Sequence, residues 1–165
     1  MYEHLLVALD GSPAAERVLP HAEALATAFH STVTLLRSTI STEMFLAETA
    51  GGDTTVGQVA PTLDPTPVLE ADRSTAVEYL NGLAARLRQR NLSVKVEHPQ
   101  GPASKVIVER AAALGVSLIL MTTHGRGGLG RMVFGSVADS VLRHASCPVL
   151  VVRVSDAEAE TATRL

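Results

Sequence analysis

The chain has 165 residues, enough for one ordinary domain, and its 46% hydrophobic content against 19% charge supplies the apolar surface that a folded core needs. A formal charge of −3 and only 3% aromatic residues, with no tryptophan, exclude the usual means of gripping nucleic acid, a basic field or a base-stacking platform. The single cysteine, Cys147, excludes an internal disulfide or a four-cysteine zinc site built by one chain, and the opening stretch through Pro13 has neither a basic leader nor an apolar run long enough for a signal peptide or membrane span. The expectation is a protein of the reducing cytoplasm, with no membrane and no nucleic-acid partner.

Leu5 to Leu9 is a short apolar run without alternation, which reads as a strand buried on both faces, and Asp10-Gly11-Ser12-Pro13 ends it. Ser12 suits a helix cap and Pro13 the first helical turn. Val18, Ala22, Leu25, Ala26 and Phe29 then recur at helical spacing, predicting a helix of about four turns. A second buried strand follows at Thr32 to Arg37. Residues 39 to 69, rich in Thr, Gly and Pro, show no sustained period and read as a long loop insertion beside the site or as a plain surface loop. Val77, Leu80, Ala84 and Leu87 mark the next helix, ending near Asn91, and Ser93 to Glu97 alternates strictly, as expected of a strand with one wet face near a sheet edge.

Ala103, Ile107, Ala111 and Leu114 define a third helix, with Gly115 where a left-handed C-cap is wanted. Val116 to Met121 is another buried strand, Ser136 to His144 a helix, and Pro148 to Arg153 the last strand; beyond Ser155 the sequence is a polar tail. This succession predicts an α/β fold, a doubly wound five-stranded parallel sheet with right-handed crossovers and helices on both faces. Residues 1–154 form the domain and 155–165 the tail.

Between Thr122 and Ser136 runs the most informative segment, a glycine-rich loop joining a buried strand to a helix. Backbone so free of side chains lets a ligand approach closely, and the unpaired amides and positive dipole at Gly135-Ser136-Val137 favour an anion such as phosphate. Arg126 and Arg131 either clamp that anion or are solvated charges, and His124 either meets a phosphate or ribose or is a plain loop histidine. Gly125-x-Gly127-x-x-Gly130 satisfies a dinucleotide pattern but follows the fourth strand and lacks the acidic partner downstream. Gly130 and Gly135 have Walker A spacing, yet the lysine is missing. Without that lysine or a water-orienting acid, fast phosphoryl transfer is not expected, and at most slow hydrolysis is. The six histidines show no metal-ligand spacing.

This segment resembles that of the universal stress protein family, whose nucleotide-binding members carry Gly-x2-Gly-x9-Gly-Ser/Thr between the fourth strand and fourth helix. Gly125, nine residues, then Gly135-Ser136 match it, as do the opening Val7-Ala8-Leu9-Asp10-Gly11-Ser12 and the closing Cys147-Pro148-Val149-Leu150-Val151-Val152. The likeness covers residues 3 to 154, with one departure: the motif's first glycine falls at Thr122. It implies an ATP site, with Asp10 on the ribose side, Ala8 and Leu9 backbone by the adenine, Ser38 as an adenine contact, and Gly125, Gly135, Ser136 and the Val137 amide at the phosphates. Met121, Thr122, His124 and Arg126 complete the candidate contacts, and Mg²⁺ would arrive with the nucleotide, held mainly by phosphates and water.

With a strand order of 3-2-1-4-5, the order reverses between strands one and four, and open α/β sheets bind ligands at the carboxyl ends of strands at such a point. Asp10 is then either a ligand contact there or a carboxylate complementing a helix dipole. The last strand, apolar on both faces at a sheet edge, is expected to pair with its twin in a homodimer through Pro148 to Arg153, as the family likeness also suggests, unless the polar tail covers it. The leading expectation is an ATP-binding stress-response module whose nucleotide orders the glycine loop and the 39 to 69 insertion for a protein partner. The alternative is a dimeric module that binds no nucleotide, Thr122 having closed the site, and acts through protein partners alone.

Overall fold

Four consecutive buried residues, Leu5 to Ala8, make β1 (His4–Ala8), and the chain leaves it through Gly11, whose φ of +87° is left-handed. Ser12 then accepts from the Ala15 amide at 3.1 Å and Pro13 opens α1 (Pro13–Glu16). The helix expected to run unbroken to Phe29 stops here and restarts as α2 (Leu19–Phe29). Pro20 is the reason: it has no amide hydrogen to donate to the carbonyl of Glu16, four residues back, and its ring crowds that carbonyl, so the chain turns at Arg17 and Val18 before continuing.

The computed structural model describes residues 1–50, 64–123 and 135–154. After β2 (Thr32–Leu36) the 39–69 stretch is not a plain loop, because it holds α3 (Thr42–Ala50) and the start of α4 (Thr66–Arg88), a helix that begins well before Val77. Both helices escape a periodicity reading for the same cause. In α3 only Phe45 reaches half-burial among residues 42–49, and in α4 no residue before Ala76 is fully buried, so neither stretch carries an apolar stripe. Asp64 instead helps start α4 by accepting from the Thr66 amide at 3.0 Å. The rest follows expectation within a residue or two: β3 (Ser93–Glu97), α5 (Ala103–Ala113) ended at Gly115 with φ +61°, β4 (Leu118–Thr122), α6 (Ser136–His144) and β5 (Val149–Val152).

The five strands are parallel in the order β3-β2-β1-β4-β5. Alternating side chains divide the core in two. Leu5, Val7, Leu9, Val33, Leu35, Leu118 and Leu120 face α1, α2, the turn between them and α4, which contribute Ala15, Val18, Leu19, Ala22, Leu80, Leu83 and Leu87. Leu6, Ala8, Leu36, Ile119 and Met121 face α5 and α6 through Val106, Ile107, Ala111, Ala138 and Val141. Each fully buried leucine contributes about 1.5–3 kcal/mol, which explains why the central strands are apolar on both faces. The edge strand β3 alternates as expected, with Ser93 and Lys95 exposed and Val94 buried.

Candidate functional site

The carboxyl ends of the strands hold the one place where the central sheet divides. Pairing of β1 with β4 runs from Leu5–Leu118 to Val7–Leu120 and stops. On its other side β1 stays with β2 through Ala8–Leu36, and the Leu9 amide still donates to Leu36 O at 2.8 Å. β4 stays with β5 through Thr122–Val152, and the Thr123 amide donates to Val152 O at 3.0 Å. The two strands therefore stop pairing at the point where the strand order reverses, the position at which open α/β sheets hold ligands.

One wall is the exit of β1. Ala8 and Leu9 are buried, and the half-buried Asp10 accepts from the Ser12 amide through Oδ1 at 2.8 Å, so its carboxylate is steered by the turn it helps to close. Ser38, two residues past β2, is half-buried, and the backbone around it is pinned: Arg37 N donates to Glu97 O at 3.1 Å and Thr39 N to Pro99 O at 2.9 Å.

The other wall is the exit of β4. Met121 and Thr122 are both buried but point oppositely: Met121 belongs to the face of Ala8 and Ala138, whereas Thr122 is in register with Val152 on the opposite one. The Gly135 amide donates to Thr123 O at 3.1 Å, which ties the start of α6 to the end of β4. Gly135 is the N-cap of α6 and supplies no side chain, Ser136 is exposed and Val137 half-buried, so α6 begins on bare backbone with its first amides at the helix start. Asp139 in that first turn is answered by Arg143 at 2.9 Å, whose hydrogen bond holds its carboxyl below the usual range. The elements thus bring Ala8, Leu9, Asp10, Ser38, Met121, Gly135, Ser136 and Val137 to one end of the sheet, while His124, Gly125, Arg126 and Arg131 lie outside the described residues.

A group that the pattern of residues did not single out lies at the same end. Arg37, the first residue past β2, is 8% exposed and places Nη2 3.0 Å from Asp72 Oδ1 on α4. Tyr79, seven residues and about two turns further along α4, has its phenol raised above the usual range, first by burial and then by the charges of Glu16 and Asp10, with Arg37 opposing. Its buried hydroxyl stands beside Glu16 without meeting hydrogen-bond geometry. The available signal was a charge directly behind a run of four buried residues. Among the described residues no group of three or more His, Cys, Asp or Glu is placed to hold a metal, and no helix is long and apolar enough to cross a membrane. Cys147 is half-buried, and burial pushes its thiol up.

Residues 1–153 match the model of the universal stress protein family. The chain is 30% identical over 163 residues to a putative universal stress protein of Staphylococcus haemolyticus, the match covering 94% of this chain and 87% of the relative. Among solved structures it is similar to hypothetical protein MJ0577, with a TM-score of 0.78 and 26% identity over 94% of this chain and 99% of that one. A universal stress protein crystallised in complex with cAMP shares the fold, with a TM-score of 0.64 and 18% identity over 93% of this chain and 98% of that one.

Proposed function

The chain belongs to the universal stress protein family, and from that premise we propose that it binds an adenine nucleotide, ATP with Mg²⁺, in the crevice between β1 and β4. The observation that carries this reading is the parting of the two central strands beyond Val7–Leu120 beside a helix start tied back to β4 by the Gly135–Thr123 hydrogen bond. In this arrangement Asp10 accepts from the ribose hydroxyls, the Ala8–Leu9 backbone and Ser38 flank the adenine, and the amides of Ser136 and Val137 with the Ser136 hydroxyl receive phosphate oxygens. Met121 and Thr122 line the β4 side, and His124, Gly125 and Arg126 complete the phosphate end. The cAMP complex of a protein with the same fold supports an adenine guest.

The direction of Thr122 favours this reading over a module whose site the threonine has filled, since its side chain shares the face of Val152 and not that of α6. Mg²⁺ would be held by the phosphates and water, because the chain offers no cluster of ligands for it among the described residues. Turnover, where it occurs, is slow. Nucleotide occupancy sets the surface offered to a protein partner, and the edge of β5, with Val149 to Val152 all half-buried, pairs with a second copy to form a homodimer through Pro148 to Arg153. Mass spectrometry of the purified protein, followed by calorimetric titration with Mg-ATP, tests the reading. The absence of both a copurified adenine nucleotide and any heat of binding would overturn it.

A further inference from the structure

We propose that Arg37, anchored by Asp72, is a positioning residue that holds the Asp10–Gly11 turn and the Ser38–Ile40 exit of β2 together as one ribose-and-base wall, a role that rests on the nucleotide reading above. A guanidinium nine-tenths removed from water is unfavourable unless it is paired. Asp72 provides the pair and uses both carboxylate oxygens: Oδ1 meets Arg37 Nη2 at 3.0 Å, and Oδ2 accepts from the Ile40 amide at 2.8 Å. One carboxylate of α4 therefore fixes the chain on both sides of Ser38.

The opposite side of the same guanidinium lies against Gly11. Its Nη1, Cζ and Nε stand 3.6, 3.7 and 3.8 Å from where a Cβ on Gly11 would be, three near-equal distances that put the planar group broadside to the turn. Gly11 holds φ +87°, which glycine reaches freely but which is only one of the many conformations open to it, so contacts such as the guanidinium help to keep the turn in this one. Removing the guanidinium empties the space behind Gly11 and leaves the Asp72 carboxylate with the Ile40 amide alone. Asp10, one residue before Gly11 and bonded to Ser12 N, would then lose its fixed aim.

Loss of an ion pair that merely fastened α4 to the sheet would lower stability and leave ligand discrimination untouched. The test therefore measures affinity for ATP and for 2′-deoxy-ATP in wild type, Arg37→Met and Arg37→Lys, together with amide hydrogen exchange of the three proteins without nucleotide. Wild type should favour the ribose form about tenfold, the worth of one hydrogen bond to a charged group. Arg37→Met should lose most of that preference and exchange faster at 10–12 and 38–41. Arg37→Lys keeps the charge opposite Asp72 but not the planar face, so it should recover stability and only part of the preference. Full ribose preference in Arg37→Met, or its complete return in Arg37→Lys, overturns the proposal. If wild type binds neither nucleotide, the site reading itself falls, and exchange alone then decides: faster exchange at both stretches in Arg37→Met supports the latch, and unchanged exchange overturns it.

Discussion

Substituting Gly135 by valine separates the phosphate end of the site from the rest of the fold. A Cβ at this position would stand 3.0 Å from Thr123 O, the same carbonyl that accepts from the Gly135 amide at 3.1 Å. Ordinary carbon–oxygen contacts lie at about 3.3–3.6 Å, so a displacement of roughly 0.3–0.6 Å is needed. The carbonyl is poorly placed to supply it, because Thr123 is held by its own amide to Val152 O at 3.0 Å and through Oγ1 to the Val154 amide at 3.5 Å. The start of α6 must move instead. Losing the Gly135–Thr123 hydrogen bond costs about 1 kcal/mol and the crowding about as much again, a total of about 2 kcal/mol. For a domain of this size that lowers Tm by about 4–8 °C. If the Ser136 and Val137 amides receive phosphate, loss of one such charged hydrogen bond weakens Mg-ATP binding by about 10- to 100-fold. Calorimetric titration and differential scanning calorimetry measure the two effects separately. A lowered Tm with wild-type affinity would refute the phosphate seat, and unchanged values of both would refute the steric reasoning as well.

Other substitutions probe other levels of the structure. Gly82 sits exposed within α4 with nothing within 4 Å of a Cβ, so Gly82→Ala should stabilise by about 0.5–1 kcal/mol in chemical denaturation, and destabilisation would count against α4 as a regular helix there. Ser12→Ala removes the side-chain acceptor of the Ala15 amide, leaving it the Ser12 carbonyl at 3.1 Å, and should cost about 1 kcal/mol; no loss would show that the side-chain cap of α1 is idle. Val151→Asp places a charge in the half-buried edge strand β5, and sedimentation should report a monomer; a particle of wild-type size would refute pairing through that edge. Burial raises the Cys147 thiol, so its neutral form persists to higher pH and iodoacetamide at pH 8 should alkylate it more slowly than a free cysteine, an expectation that an equal rate would defeat.

The apolar runs at Leu5 to Leu9 and Val116 to Met121, the Ser12-Pro13 start and the Gly115 stop could be read in advance because each rests on contacts within a few residues or on a period that burial imposes. The interruption at Pro20 was equally local, yet the apolar spacing from Val18 to Phe29 runs straight through it, so periodicity alone does not reveal the break. Residues 66–75 were opaque for the opposite reason: Glu70, Ala71, Arg73, Ser74 and Thr75 are all exposed, so the helix has no stripe there to display. Part of the site shared that fate. Asp10, Gly135 and Ser136 announce themselves through the turn and helix-start chemistry around them, whereas Arg37 looks like any charge at a strand's end.

By itself, the amino-acid sequence determined which stretches become strands, that they run parallel, and where a helix begins on bare backbone, because hydrophobic period, capping and turn chemistry are properties of neighbouring residues. Only the tertiary structure decided that β1 and β4 separate after Val7–Leu120, that Thr122 faces away from α6, and that Arg37 meets Asp72 thirty-five positions along the chain. Those outcomes depend on register and on which surfaces are packed together, and neither is written in any local run of residues.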